Sequence, residues 1–167
     1  YTEWVIVGIM GVGEYGQSDG MGLSAADLSR FDELLSTARS VRRRLDFARP
    51  AESRVLADCV DVAVQAPTGA RGEDWRFVIV DDVSKKAAIA KIYAEVLHEL
   101  AAQPRLELKP SHRAMLARLH EIPVMIFVCM AGSPAADTHA AHVAYYGSIM
   151  PAAWSLMLGL RARGIGT

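Results

Sequence analysis

Ala140, Ala141, Val143, Ala144, Ile149, Met150, Ala152, Ala153, Leu156, Met157 and Leu160 fall within one helical stretch, from about His139 to Arg163. A helix that is apolar almost all round must be covered on most of its sides. Asp137-Thr138 can cap its start, and its small residues let another helix come close. Pro151 predicts a kink, because proline removes one link of the helical ladder. One chain of 167 residues can hardly cover so long an apolar helix, so a dimer interface is expected on it.

Length sets one domain with a sizeable core. The residues are 51% hydrophobic and 22% charged, as in a folded soluble protein. A formal net charge of -1 argues against nucleic acid or an anionic membrane surface as a partner. No apolar run is expected to span a membrane, and no signal peptide is evident. Cys59 and Cys129 read as buried free thiols of a reducing, cytoplasmic compartment rather than as a disulfide. The chain begins at Tyr1, with Met21 a candidate original start, so residues 1–22 read as an N-terminal extension.

Within that extension, residues 4–10 form a strand candidate, and Gly11-Val12-Gly13-Glu14-Tyr15-Gly16 spells G-x-G-x-x-G. A dinucleotide-binding reading of Gly11, Gly13 and Gly16 requires a helix opening among the glycines and a parallel sheet with the first strand central. The next helix instead opens near Ser24, and no acidic residue ends a second strand. An edge strand with a glycine-rich linker is the simpler reading.

Ser24 caps a helix that carries Leu28, Phe31, Leu34 and Leu35 on one face and runs out near Thr37. Arg39-Ser40-Val41-Arg42-Arg43-Arg44-Leu45-Asp46-Phe47 follows, the densest positive charge in the chain. Arginine forks and a serine hydroxyl suit phosphate and carbonyl oxygens, which points to an anionic ligand. A second helix opens at Arg49-Pro50-Ala51-Glu52, buries Val55, Leu56, Cys59, Val62 and Ala63, and stops at Ala66-Pro67. The loop from Ala66 through Thr68, Gly69 and Gly72 can lay backbone N–H groups along a planar ligand, with Thr68 as a hydroxyl donor.

Strands are expected at 75–80 and 122–130, the latter buried on both faces, with a helix over roughly 85–101 and a shorter one from Ser111 to about His120. Residues 93–120 could form a substrate-facing lid or a solvated helical excursion. His139 and His142 lack metal-ligand neighbours, Ser148 and Ser155 lack a nucleophile elbow, and no carboxylate pair stands out. No metal and no essential acid–base side chain are expected.

Arg39-Ser40-Val41-Arg42, a helix ending Ala66-Pro67-Thr68-Gly69, the strand Trp75–Val80 and the final Leu156–Thr167 together resemble the FMN-dependent nitroreductase family over about residues 28–167. The resemblance implies an α+β fold, a mixed and mainly antiparallel sheet flanked by helices, in an intertwined homodimer with FMN at the interface. It implies that residues 23–167 form this domain without the family's usual C-terminal segment. By the same resemblance Arg39, Ser40 and Arg42 contact the flavin phosphate or pyrimidine edge. Pro67, Thr68 and Gly69 line the ring from the partner subunit, and Arg71 joins them where the family commonly has asparagine. Glu73 at its place in the loop is similar to the iodotyrosine-deiodinase branch. The expected activity is hydride transfer from NADPH or NADH through FMN to nitroaromatics, quinones or similar acceptors. A dehalogenase-type flavin reductase and a degenerate flavin-binding domain are the alternatives.

Overall fold

Two helices far apart in the chain make the core. The structure, a computed structural model, describes residues 22–67, 75–101 and 109–167. The strand candidate at 4–10 and the glycine motif at 11–16 lie outside the described residues. The elements are α1 Ala25–Thr37, α2 Ser53–Ala63, β1 Trp75–Val80, α3 Val83–Ala101, α4 Pro110–Ala117, a 3-10 turn Leu119–Glu121, β2 Met125–Met130 and α5 His139–Ala162. They belong to two units, residues 1–37 and 38–167.

In the first unit, Ser24 Oγ accepts from the Asp27 backbone N–H at 3.2 Å and donates to its carboxylate at 2.6 Å. This is the expected cap of α1. Leu28, Phe31 and Leu35 leave that helix exposed.

In the second unit, Leu56, Cys59 and Ala63 of α2 meet Leu156 and Leu160 of α5. Their spacings place each set on one helical face. Gly159 completes the contact, since a Cβ there would lie 3.6 Å from Cys59. Burial pushes the Cys59 thiol up, against the opposing charge of Arg163. Both cysteines are free, Cys59 buried and Cys129 half-buried.

Thr138 caps α5, its hydroxyl accepting from the Ala141 N–H at 3.2 Å, and the helix continues through Pro151. Within this chain α5 is covered along one face and not on most sides, in line with the expectation that one chain can hardly cover so long an apolar helix. Ser148, Ala152, Leu156, Gly159 and Leu160 are buried, while Val143, Tyr146, Met150 and Trp154 stay exposed along another face. The expectation of no span-length apolar run is corrected. By length and hydropathy alone α5 could cross a membrane. Its buried stripe against α2 is the packing of a core helix.

β1 and β2 pair antiparallel, with Trp75 opposite Met130 and Val80 opposite Met125. The described sheet is thus α+β and antiparallel, not the parallel sheet a dinucleotide-binding reading requires. Phe77, Ile126 and Val128 turn toward the α2–α5 core. Val78 and Phe127, on the other face, remain exposed, so β2 is not buried on both faces as expected.

β2 also begins at Met125 rather than at residue 122. Pro123 cannot donate to a ladder. The Lys86 ammonium on α3 donates to the Ile122 carbonyl at 2.7 Å and the Pro123 carbonyl at 3.0 Å. Those carbonyls are engaged outside the sheet, and Lys86 is 6% exposed. Lys86→Met should leave both carbonyls unpartnered and cost about 1–3 kcal/mol. A lowered urea midpoint would show it; an unchanged one would mean that the lysine carries no net stabilisation. α3 itself opens at Val83, because Asp82 accepts from the Lys85 N–H at 2.8 Å and the Ser84 hydroxyl at 2.6 Å. Those bonds, the Ser84 hydroxyl first, hold the Asp82 carboxyl below its usual range.

Candidate functional site

The C-terminal end of α5 positions the arginine strip. After Ala162 the Gly164 N–H bonds the Arg161 carbonyl at 2.9 Å and the Ile165 N–H bonds the Leu160 carbonyl at 3.0 Å. Gly164 has φ +76°. This is a Schellman reversal, which needs a residue that tolerates the left-handed region, here glycine, and sets the next apolar residue back on the helix. Ile165 packs accordingly against the core.

The reversal delivers Gly166 and Thr167 to the strip between α1 and α2. The Val41 N–H donates to the Thr167 carbonyl at 2.7 Å. A Cβ on Gly166 would fall 2.9 Å from Leu45 Cδ2 and 3.1 Å from Val41 Cβ, so the close approach requires glycine. Val41 and Leu45 are thereby half-buried, whereas Arg39, Ser40 and Arg42 face solvent. Arg39 Nη1 donates to the Ala38 carbonyl at 2.6 Å.

The structure brings Arg42 and its neighbours in the charged stretch together with Ala114 and Arg118, which the sequence did not single out; Arg39 and Ser40 do not line this cleft. Arg42, Arg43, Arg44, Leu45, Phe47, Ala114 and Arg118 line a cleft of about 300 Å³. Arg44 has φ +61°, uncommon for a residue with a side chain. Arg118 lies over the Phe47 ring, 4.4 Å from its centroid. Its Nε and Nη2 both donate to Glu121 Oε2, at 2.9 and 2.6 Å. The hydrogen bond from Arg118 holds the Glu121 carboxyl below its usual range. The expected helix near residues 111–120 is realised as α4 and the 3-10 turn, and it supplies Ala114 and Arg118. Nothing near Arg118 in the sequence marks it, because its partner Phe47 is remote in the chain.

Pro67 ends the turn that follows α2 and is exposed. The turn is tightened by the Gln65 N–H on the Val62 carbonyl and the Ala66 N–H on the Ala63 carbonyl, both 3.2 Å. The other loop candidates, Thr68, Gly69 and Arg71, lie outside the described residues.

Residues 35–167 match the model of the nitroreductase family. Iodotyrosine deiodinase 1 of Rattus norvegicus is 38% identical over 65 residues, which are 39% of this chain and 22% of that protein, about a fifth of its length. The chain is also similar to a solved nitroreductase-like family protein from Bacillus cereus, at 18% identity and TM-score 0.56, over 89% of this chain and 70% of that one. A solved iodotyrosine deiodinase, described as bound to FMN and 3-iodo-L-tyrosine, aligns at 21% identity and TM-score 0.59, over 80% of this chain and 70% of that one. At these identities the solved structures speak for the fold.

Proposed function

The chain belongs to the nitroreductase family, and on that premise we propose that it is an FMN-dependent oxidoreductase that passes hydride from NADPH or NADH to nitroaromatics, quinones or related planar electrophiles. The observation that carries this reading is the exposed Arg39-Ser40-Val41-Arg42 strip, held in place by Thr167 and Gly166. Its donor set suits the cofactor. Two guanidinium forks and a hydroxyl match a phosphate or the carbonyl edge of a pyrimidine ring.

When bound, FMN supplies the redox chemistry, accepting and releasing hydride. The chain's own residues then have binding and electrostatic tasks. Arg39 and Arg42 anchor the anionic group and place positive charge where negative charge accumulates, and Ser40 adds a hydroxyl donor. Val41, fixed through its backbone, keeps these side chains on the solvent side. Pro67, Thr68, Gly69 and Arg71 line the ring, contributed by a second subunit. No side chain is required to move a proton.

An intertwined homodimer agrees with the exposed face of Val143, Tyr146, Met150 and Trp154, which would otherwise leave large apolar groups in water. A cytoplasmic location agrees with two free cysteines. The absorption spectrum of the purified protein tests the reading. A yellow protein that bleaches with NADPH under anaerobic conditions is the expected result; a colourless protein that cannot be loaded with FMN contradicts it. The 38% identity to iodotyrosine deiodinase 1 favours reductive dehalogenation as a second reading. Release of halide from a halogenated aromatic under anaerobic reduction, without nitroaromatic turnover, would select it.

A further inference from the structure

The buried Lys86 ammonium spends its charge on backbone. It sits near the start of α3, 6% exposed, and among the described residues no carboxylate pairs with it. Taking a cation out of water without such a partner is costly. Its acceptors are the Ile122 and Pro123 carbonyls, at 2.7 and 3.0 Å. They directly follow the 3-10 turn Leu119–Glu121, and α3 packs on that turn. The turn is closed by local bonds. The Glu121 N–H donates to the Arg118 carbonyl at 2.9 Å, and the Glu121 carboxylate accepts from Arg118 Nε and Nη2. These bonds need nothing from α3. The contact of Arg118 with the Phe47 ring is different. The two residues are remote in the chain, so their stacking depends on where the whole turn is placed.

We infer that Lys86 is a positioning residue for the cleft: by holding the Ile122 and Pro123 carbonyls it places the Leu119–Glu121 turn so that Arg118 closes over Phe47. An ammonium carries three N–H donors on one atom, which suits two successive carbonyls. A methionine would fill the same space without a charge to desolvate, but it would leave both carbonyls free to turn. Ala114 and Arg118 are what α4 and its end contribute to the cleft, so the place of the turn sets the width of the opening. Lys86 does not line the cleft and acts through the turn. The inference rests on this geometry and not on the flavin reading.

Nuclear magnetic resonance of the full chain tests it through the Arg118 Nε–H signal. Protons over an aromatic face are shifted upfield, so the stacked and unstacked guanidinium differ in that signal. Phe47→Leu supplies the unstacked position. In Lys86→Met the Arg118 signal should move most of the way to that position. Its exchange with solvent should stay slow, because Glu121 still accepts from it. Lys86→Gln, whose amide nitrogen stands one bond nearer the backbone, should shift the signal less and in the same direction; it carries the test if the methionine variant does not fold. A fall in the urea midpoint would report stability alone, whereas the Arg118 signal reports placement. A signal that keeps its parent position in a folded Lys86 variant overturns the inference, since Lys86 would then stabilise the fold without placing the wall of the cleft.

Discussion

Leu156→Ala should lower the unfolding free energy by about 2–5 kcal/mol, the usual cost of truncating a buried leucine. Leu156 is 3% exposed and packs with Leu160 against Leu56, Cys59 and Ala63. Cys59, Ala63 and Gly159 are the small residues of that contact. They have little length with which to refill a void, so the loss should fall toward the upper end of the range. Domains of this size are stable by about 5–15 kcal/mol, so the variant would sit near its folding threshold. Urea titration measures the effect. Val83→Ala, at an exposed helix start, is the control and should stay within about 0.5 kcal/mol of the parent. Equal midpoints for the two variants would show that the α2–α5 contact is not the core.

Arg39→Ala should weaken FMN retention by about 10- to 100-fold, the worth of a charge-assisted hydrogen bond to an anion. Fluorescence titration of flavin measures it, and thermal melts should match the parent. That separation is expected because backbone geometry holds the strip. The Val41 N–H sits on the Thr167 carbonyl, and Gly166 abuts Val41 and Leu45. Arg39 itself is exposed. Unchanged flavin affinity would remove Arg39 from the site and with it the main support for the proposed anchor.

Both expectations show where the sequence was informative. The spacing marked Val55, Leu56, Cys59, Val62 and Ala63 as the buried face of α2; Leu56, Cys59 and Ala63 are buried and Val55 packs against them, while Val62 is exposed. The Arg39–Phe47 cluster pointed to an anion, and the structure seats Arg42, Arg43 and Arg44, but not Arg39, around a cleft. Arg118 and Phe47 were not legible as a pair, since a stacking contact between remote residues leaves no local trace. The start of β2 was partly hidden. Ile122 and Val124 are as strand-like as Ile126; Pro123 was a visible obstacle to pairing, but Lys86, reaching over from α3 to the Ile122 and Pro123 carbonyls, was not.

What the chain settles alone is whatever lies within a few residues: the caps at Ser24 and Thr138, the reversal at Gly164, and the helical spacing of α2 and α5. These depend on hydrogen bonds and periodicities that span a turn or two, so the residue types nearly suffice. Tertiary structure alone decided which face of α5 is covered, that Val78 and Phe127 stay in contact with water, and which arginines share one cleft. An apolar side chain or a guanidinium carries the same local propensity whether it is covered or not. Its surroundings are chosen by the packing of distant elements, and no short stretch of sequence contains that choice.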